Sequence, residues 1–379
     1  MKIEVYSPTI RRKEMDAVLT AMVEEKIGVG DRNRLLIQTA KEQIKFDYAL
    51  ALRSPAVALY LALKAAMESQ NAQTGQAVVI SALSPRYYYQ VIEDLKLTPL
   101  YCDVSYDFPC MSREAVENAV SQKPSGVEIC AVVIHHTLGF QPDSKAIAEL
   151  GFPVIEDVSQ SYGKIIKKAA VSANSGDGAS SGASADNSAS ADGADKEKEE
   201  PQIKTSGAFC ILGLEERDML TSGGGALLFA MNRKDSSGLR NFAGIANEYC
   251  LPDINAALAV VQFKEVQRNL QKRREIAAVY AQAGLRTRHK RFIPIAEDDY
   301  NNYSFSLVLE TGLKDVIAYA RKKDIIVESA FENTLAASGL CGNCPVGSSL
   351  ALRTVLFPLY PRLRSSDAER VSRLIMTLP

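Results

Sequence analysis

The sequence predicts an α/β fold with a mostly parallel central sheet that helices cover on both faces. In the first half of the chain, short apolar runs alternate with amphipathic helical segments, an order typical of a parallel sheet buried on both sides. From about residue 254 a long amphipathic helix leads into mixed strand and helix patterns, and such a helix suits a connection between two lobes. We therefore predict a large domain over 1–253 and a small α+β domain, with its connecting helix, over 254–379.

Each predicted element follows from the spacing of its apolar residues. The predicted strands and short buried segments are 46–54, 77–83, 98–104, 131–136, 152–158, 207–214 and 303–310. The predicted helices are 12–24, 57–67, 91–96, 144–150, a long one from about 254, 313–323 and 367–378. Ligands of such sheets bind beyond the carboxyl ends of the strands, where we expect Asp103, His136 and Asp157 to lie.

The composition argues against several classes of function. Lys and Arg total 44 against 45 Asp and Glu, a balance that indicates neither a nucleic-acid surface nor a polybasic membrane patch. The N-terminal residues contain no apolar signal core, and no run approaches the ~20 apolar residues of a membrane span. The seven cysteines are scattered and odd in number, which favours reduced thiols. We predict a soluble cytoplasmic protein that binds neither nucleic acid nor membrane.

One segment, 169–203, differs in composition from the rest of the chain. It is rich in Ala, Ser, Gly and Asp, acidic towards its end and free of aromatic residues. Such a segment cannot bury enough apolar surface to offset the entropy lost on ordering. Strand signal resumes at 207–214, so we predict a disordered surface insertion within the large domain. Inert length and a regulatory role are both open for it.

The stretch VIEDVSQSYG at 154–163 carries candidate site residues. Glu156 and Asp157 stand side by side at the end of a predicted buried strand, and Gln160 follows shortly after. A carboxylate fixed there could face the positively charged ring nitrogen of a cofactor, or it could cap neighbouring backbone N–H groups. The residues alone leave both interpretations open.

Two further motifs are each compatible with a ligand or with ordinary local structure. Ser54 and Pro55 begin a predicted helix, either as a phosphate site or as a capped helix start. The glycines of TSGGGALLFA at 221–230 either let the backbone approach a ligand closely or make a tight turn into a hairpin.

Histidine and cysteine pairs are equally ambiguous. His135 and His136 end a predicted strand, where a structural role and a site role are both open. Cys341 and Cys344 in CGNC have the spacing of redox or metal sites. No second Cys/His pair with ligand spacing lies nearby in the sequence, so we predict packing and no metal site.

Taken in order, these segments resemble the DegT/DnrJ/EryC1/StrS family, the pyridoxal-phosphate (PLP) nucleotide-sugar aminotransferases. The segments that carry the resemblance are LRSPAVALYLAL, LKLTPLYCDV, HTLGFQPD, VIEDVSQSYG, LPDINAALAVVQFKEVQRNLQKRREIAAVY and CPVGSSLALRTVLFPLYPRL. They span nearly the whole chain apart from the insertion. The resemblance implies the PLP-transferase fold of the aspartate aminotransferase type I class, and a homodimer.

The resemblance also implies roles for three residues of a PLP pocket. Asp157 falls on the aspartate that faces the pyridinium nitrogen, which lets the ring act as an electron sink. Gln160 falls on the residue that lies against the ring near its hydroxyl, and Ser54 on the serine of the family's Ser-Gly-Thr helix start. A nucleotide-sugar ligand and a place in surface polysaccharide synthesis are implied as well.

The lysine that forms the Schiff base in this family is missing. Counting back from Gly224 by the family's spacing reaches Arg217, and a shift by one residue reaches Glu216 or Asp218. The guanidinium of arginine stays protonated, so it is neither an amine nucleophile nor a proton shuttle. We therefore predict no catalytic residue.

The family's contacts to the cofactor phosphate and ring are altered too. Pro55 stands in place of a glycine and has no N–H to donate, and Glu248 falls where an asparagine from the partner subunit would approach the phosphate. The other replacements at family positions are Ala56, Pro85, Leu212, Gly223 and Cys250. Each lost hydrogen bond to a charged phosphate costs roughly 1.5–3 kcal/mol, so we predict that PLP binds weakly or not at all.

Three functional hypotheses follow, and enzyme status is left open between them. The first is a pseudoenzyme that acts as a binding or assembly partner, with a nucleotide-sugar ligand or an active paralogue. The second is an active sugar aminotransferase that uses another lysine; the nearest are Lys164, Lys167, Lys168 and Lys204. The third is a lysine-less sugar dehydratase with non-covalent PLP, although Arg217 cannot serve as its base.

Overall fold

The computed structural model of the protein describes residues 2–69, 76–163, 205–296 and 299–379. Its strands are β1 (Tyr48–Leu52), β2 (Ala77–Ser81), β3 (Thr98–Cys102), β4 (Ile129–His135), β5 (Val154–Asp157), β6 (Phe209–Gly213), β7 (Ala226–Ala230), β8 (Phe305–Val308), β9 (Glu328–Ser329) and β10 (Thr354–Phe357). Its helices are α1 (Arg12–Val23), α2 (Asp31–Gln43), α3 (Pro55–Ser69), α4 (Tyr87–Asp94), α5 (Arg113–Ser121), α6 (Ser144–Ala148), α7 (Arg233–Arg240), α8 (Asp253–Gly284), α9 (Leu313–Arg321), α10 (Pro345–Arg353) and α11 (Ser365–Met376). The predicted insertion at 169–203 lies outside the described residues, as do Lys164, Lys167, Lys168 and Lys204.

Seven strands form one large sheet in the order β1-β7-β6-β5-β4-β2-β3. β7 runs antiparallel to both of its neighbours, and the other six strands run in one direction. The prediction of a mostly parallel sheet is therefore confirmed. A second, antiparallel sheet has the order β8-β10-β9.

The large sheet is buried on both faces, which explains its near-continuous apolar strands. In β6, Phe209 and Ile211 belong to a core that also contains α3 and α4. Cys210 and Leu212 belong to a second core against α2 and α8. Because successive side chains of a strand point to opposite faces, a layer of helices on each side is needed to bury all four residues.

Helix α8 takes part in two hydrophobic cores, as the sequence predicts for a helix that connects two lobes. The inward-facing side chains of residues 256–270 pack under the large sheet. Further along, Ile276 and Tyr280 pack with the small sheet and α11, and the Tyr280 hydroxyl donates to the Pro358 carbonyl at 2.8 Å. The domain boundary at 253/254 stays a prediction. Within the described ranges, no helix combines the length and the apolar character needed to cross a bilayer.

Four helices and two strands are not predicted by the sequence patterns: α2, α5, α7, α10, β9 and β10. α2 and α7 are polar over most of their surface, so their apolar stripes are narrow. β9 has two residues and exists through its pairing with β10. Such elements depend on tertiary packing more than on local pattern.

Asp103, expected at a ligand-binding strand end, caps a helix instead. It follows β3, and its carboxylate accepts hydrogen bonds from the backbone N–H groups of Val346 at 2.9 Å and Gly347 at 2.7 Å. Both amides lie in the first turn of α10, where backbone N–H groups have no partner within the helix. Asp103 therefore joins the edge of the large sheet to α10.

We expect Asp103→Ala to lower the free energy of unfolding by about 1–2 kcal/mol, the usual cost of losing an N-cap acceptor. Denaturant unfolding of the purified protein measures this change. Asp107→Ala is a matched control, because that side chain is exposed and makes no hydrogen bond within the described ranges. Equal stability of the two variants would contradict the capping role.

Candidate functional site

The carboxyl ends of β4 and β5 bring candidate site residues together. His135 and Asp157 are paired across the two strands, and Asp157 is only 2% exposed. A carboxylate at this depth is stable when its oxygens accept hydrogen bonds. The donors to Asp157 therefore define the site.

Two tyrosines at the start of α4 donate to one oxygen of Asp157. The hydroxyls of Tyr87 and Tyr88 lie 3.2 and 2.7 Å from Asp157 Oδ2. Their rings meet edge to face with centroids 5.0 Å apart, and the Tyr88 ring also meets the edge of His135 at 6.2 Å. Burial, with the charge of Asp157 added, raises the pKa of both tyrosines well above the usual range. Both hydroxyls therefore stay protonated and donate.

The second oxygen of Asp157 is held by Ser159. Asp157 Oδ1 accepts from the Ser159 backbone N–H at 3.0 Å and from the Ser159 hydroxyl. The same hydroxyl oxygen accepts from the Gly213 N–H at 2.7 Å, at the end of β6. The carboxylate thus has protein donors at both oxygens, and the network reaches the neighbouring strand.

Glu156 has a separate set of donors. His136 Nε2 lies 3.0 Å from Glu156 Oε2, and the N–H groups of Ser206 and Gly207 donate to Oε1 at 2.7 and 2.6 Å. The Thr205 hydroxyl donates to Oε1 as well. Burial raises the pKa of Glu156, but these hydrogen bonds outweigh it and hold the pKa below the usual range. This geometry favours the structural interpretation of His136.

His135 is neutral at physiological pH. Burial lowers the pKa of its imidazole to about 4, although the charge of Asp157 acts in the opposite direction. Its Nδ1 lies 3.1 Å from the Thr137 hydroxyl. His135 therefore contributes an uncharged ring beside Tyr88 and Asp157.

Gln160 holds the turn that follows β4. Its Oε1 accepts from the Leu138 N–H at 2.7 Å, and Leu138 has a φ of 56°, which is uncommon for a residue with a side chain. The Gln160 carbonyl accepts from Asn301 Nδ2 at 3.0 Å. Gln160 thus lies in the same loop as Ser159, with its side-chain oxygen engaged by the backbone.

Ser54 has the geometry of a helix cap. Its hydroxyl oxygen accepts from the Val57 N–H at 3.3 Å, and Pro55 is the first residue of α3. Proline has no N–H, and Val57 already has a partner. Of the N–H groups in the first turn of α3 that could donate to a phosphate, the one at position 55 is therefore missing and that of Val57 already has a partner.

Arg217 contacts Glu328 and the ring of Tyr6. Its Nη1 lies 2.7 Å from Glu328 Oε2 in β9, and its guanidinium stands 5.8 Å from the centroid of the Tyr6 ring. These contacts join the loop between β6 and β7 to the small sheet and to the N-terminal segment.

The next residue, Asp218, faces the buried site. A Cβ built on Gly213 would lie 2.3 Å from Asp218 Oδ2 and 2.7 Å from the Ser159 hydroxyl oxygen, which places the Asp218 carboxyl beside Ser159. Its Oδ2 accepts from the Glu215 N–H at 2.9 Å. Burial, and secondly the charge of Asp157, raise the pKa of Asp218 well above the usual range. Folding thus favours the protonated form of this acid.

The glycine-rich stretch at 221–230 forms a tight connection into β7. Gly223, Gly224 and Gly225 have φ values of 74°, 143° and 120°, in the region that favours glycine. A Cβ on Gly225 would lie 2.3 Å from Leu251 Cδ1. The hairpin interpretation of this motif therefore fits, since β6 and β7 are antiparallel neighbours.

The CGNC cysteines are buried thiols, and all seven cysteines of the chain are free. Burial raises the pKa of Cys344 to about 12, so its reactive thiolate form is disfavoured. Over the described ranges, no cluster of three or more His, Cys, Asp or Glu side chains has the arrangement of a metal site.

Sequence reasoning missed Tyr87, Tyr88 and Ser159 as site residues. The run of three tyrosines at 87–89 was the available signal. It follows shortly after a predicted strand, and three successive aromatic side chains are rarely all exposed to solvent. Their contact with Asp157 joins residues about 70 positions apart, which no local pattern reveals.

The fold matches that of solved sugar aminotransferases. TlmJ, an aminotransferase from Streptoalloteichus hindustanus, has a TM-score of 0.77 at 19% identity, with 99% of this chain and 98% of that chain covered. Spr1654 of Streptococcus pneumoniae, assigned as a sugar aminotransferase and solved in its PLP form, has a TM-score of 0.79 at 15% identity, covering 100% and 98%. PseC of Helicobacter pylori, an aminotransferase involved in the biosynthesis of pseudoaminic acid, has a TM-score of 0.79 at 13% identity, covering 99% and 98%. The predicted PLP-transferase fold is thereby confirmed.

The family is established by sequence. The model of the DegT/DnrJ/EryC1/StrS aminotransferase family matches residues 8–376, so the chain belongs to that family, as its motifs predict. Members of the family are sugar aminotransferases of nucleotide-sugar biosynthesis, and PLP is the cofactor of the family.

We expect the stability of the Asp218→Asn variant, relative to that of the wild type, to increase as the pH rises. A carboxyl whose pKa is raised by folding binds its proton more tightly in the folded state, so stability falls as the pH rises above the unfolded pKa of about 4. Asn keeps an oxygen for the Glu215 N–H and brings no charge. The melting temperature of the variant relative to wild type should therefore increase as the pH rises above about 4.

Asp107→Asn removes an exposed carboxylate and controls for general effects of charge. Its melting temperature should follow that of the wild type over the same pH range. An Asp218→Asn difference that does not vary with pH would show that the Asp218 pKa is not raised.

Proposed function

We propose that this protein is a family member without transaminase activity, which acts as a binding or assembly partner in nucleotide-sugar metabolism. One observation carries the proposal: both oxygens of Asp157 accept hydrogen bonds from Tyr87, Tyr88 and Ser159. In PLP enzymes an acid of this kind faces the pyridinium nitrogen. Here the hydroxyls of the two tyrosines donate to Asp157 Oδ2, an acceptor that the protonated ring nitrogen of the cofactor would need.

The residues at the family's lysine position also do not suit the aldehyde group of PLP. Schiff-base chemistry requires a primary amine. Arg217 directs its guanidinium to Glu328, and Asp218 brings a carboxyl towards Asp157. Neither group forms a Schiff base. These residues therefore support a protein that does not hold PLP covalently.

The phosphate end supports the same proposal. The Ser54 hydroxyl oxygen is engaged by the Val57 N–H, and Pro55 offers no N–H. Glu248 is exposed and carries the wrong charge for phosphate. Each missing hydrogen bond to phosphate costs roughly 1.5–3 kcal/mol, so the proposal includes weak PLP binding or none.

The proposed role is binding within the family's field of metabolism. PseC, a neighbour in fold, is involved in the biosynthesis of pseudoaminic acid, and we propose a related place for this chain in surface polysaccharide synthesis. Its partner is a nucleotide sugar or an active paralogue. The free thiols agree with the proposed cytoplasmic location, because disulfides are rare in reducing compartments.

The proposal extends to a homodimer formed through α1. Met15, Leu19, Met22 and Val23 are 50%, 54%, 53% and 82% exposed, although all four are apolar. Their spacing places them close together on the helix, while α1 also packs against α8. A cavity of ≈ 350 Å³ lies beside Met15 and Leu19. Contiguous exposed apolar surface marks an interaction site, and a second copy presents the same surface to it.

Borohydride trapping tests the absence of a Schiff base. We expect the full-length protein, mixed with one equivalent of PLP, to show no stable Schiff-base absorbance and no stoichiometric labelled peptide after reduction. Arg217→Lys is the matched variant, because it returns an amine to the family's lysine position. We expect no trapping in it either, since Tyr87 and Tyr88 still hold Asp157.

Two results of this experiment would contradict the proposal. Stoichiometric trapping at one mapped lysine of the wild-type protein would identify an active aminotransferase, and Lys164, Lys167, Lys168 and Lys204 are the first peptides to inspect. Tight PLP binding without trapping would favour a lysine-less PLP enzyme instead.

Light scattering of the protein as it elutes from a size-exclusion column measures its mass and so tests for a dimer. We expect the wild-type chain to have the mass of a dimer and Leu19→Asp to be a monomer, because a buried unpaired carboxylate opposes association. Leu285→Asp is the control, since Leu285 is 86% exposed and lies at the end of α8. A wild-type protein with the mass of a monomer would contradict this part of the proposal. A Leu19→Asp variant that dimerises with the affinity of the wild type would contradict it as well.

A further inference from the structure

A small cavity lies between the N-terminal segment, the β6–β7 loop, α8 and β10, and hydrogen-bond donors form part of its lining. Its volume is ≈ 50 Å³, enough for a group somewhat larger than the roughly 30 Å³ of one water molecule. The polar side chains that line it are Tyr6, Arg217, Arg273, Tyr303 and Ser304. They comprise two guanidinium groups and three hydroxyls, and no carboxylate is among the lining residues.

Arg273 of α8 provides a buried charge without a carboxylate partner. It is 5% exposed, and its Nη1 donates to the carbonyls of Tyr303 at 2.6 Å and Leu359 at 2.9 Å. Its Nε and Nη2 groups make no hydrogen bond within the described ranges, and no acidic side chain there forms an ion pair with it. A desolvated cation is costly unless an anion compensates it. The donors that remain therefore suit an anionic group.

Two tyrosines of the cavity have unused hydroxyls. In the part of the chain that the structure describes, the hydroxyls of Tyr6 and Tyr303 make no hydrogen bond. Burial raises the pKa of both tyrosines above the usual range, so both remain donors at neutral pH. Their hydroxyls add neutral donors to the two charged ones.

Arg217 is positioned at the cavity by contacts outside it. Glu328 accepts from Nη1 of its guanidinium at 2.7 Å and from Nη2 at 3.5 Å, and the ring of Tyr6 lies beside it. Glu328 neutralises part of this charge, so the buried Arg273 is the stronger attraction for an anion. A planar guanidinium recognises planar carboxylates through paired N–H groups, and the pair that remains here is Nε and Nη2 of Arg273.

We propose that this cavity binds the carboxylate group of a small organic ligand. The cavity holds only the charged end of such a ligand. The proposal goes beyond the proposed function: it shares Arg217 with it, but it uses neither the Asp157 network nor the presence or absence of PLP.

A titration with acetate tests the proposal on the full-length protein. Calorimetry and melting temperature are measured in a buffer free of other carboxylates and of PLP, with acetamide as the uncharged ligand of similar shape. We expect saturable binding of acetate and none of acetamide. Inorganic phosphate is titrated separately to distinguish a phosphate site.

Variants locate the bound acetate. Tyr6→Phe and Arg217→Gln should each weaken acetate binding by about 10-fold or more, as expected for one hydrogen bond to a charged group. Tyr106→Phe is the matched control, because Tyr106 is 53% exposed and does not line the cavity. We expect it to bind acetate as the wild type does.

Three outcomes overturn the proposal. They are no saturable acetate binding, acetate binding that Tyr6→Phe and Arg217→Gln leave unchanged, and phosphate binding without acetate binding. Because PLP is left out, a failure here is distinct from a failure of the borohydride experiment.

Discussion

The candidate site depends on supplying hydrogen bonds to the buried carboxylate of Asp157. Taking such a group out of water costs several kcal/mol unless donors replace the solvent. The hydroxyls of Tyr87 and Tyr88 approach from α4, and Ser159 approaches from the residues after β5. Ser159 in turn holds the end of β6 through Gly213. One desolvated group thus fixes the relative positions of two strands and a helix.

The adjacent acid, Glu156, meets the same requirement with different donors. Neighbouring strand residues point to opposite faces, so Glu156 cannot share the tyrosines. It takes His136 and the backbone entering β6 instead. The two acids therefore have separate structural tasks on the two faces of one strand.

Acidic and basic side chains both lie close to the small cavity. Asp157 and Asp218 lie together beside Ser159, where folding favours protonation of Asp218. Arg217 and Arg273 line the cavity, and the charge of Asp218 also acts on Tyr303 in its lining. Fixed donors such as those of Arg273 have the means to recognise an anion. The proposed binding role and the proposed carboxylate site agree in this respect.

The sheet, the long connecting helix and the position of Asp157 could all be predicted from the sequence, because apolar periodicity and short motifs are local properties. Strands β2, β4 and β5 and helix α8 follow from it directly, whereas β9 forms only through its pairing with β10. The contact of Tyr88 with Asp157 spans 69 positions and needs the folded sheet. Likewise, Arg217 and Asp218 are neighbours in the sequence, but their different partners, Glu328 for Arg217 and the surroundings of Asp157 for Asp218, follow from the folded chain. Side-chain direction in a loop is set by the surfaces packed around it, and those surfaces come from distant parts of the chain.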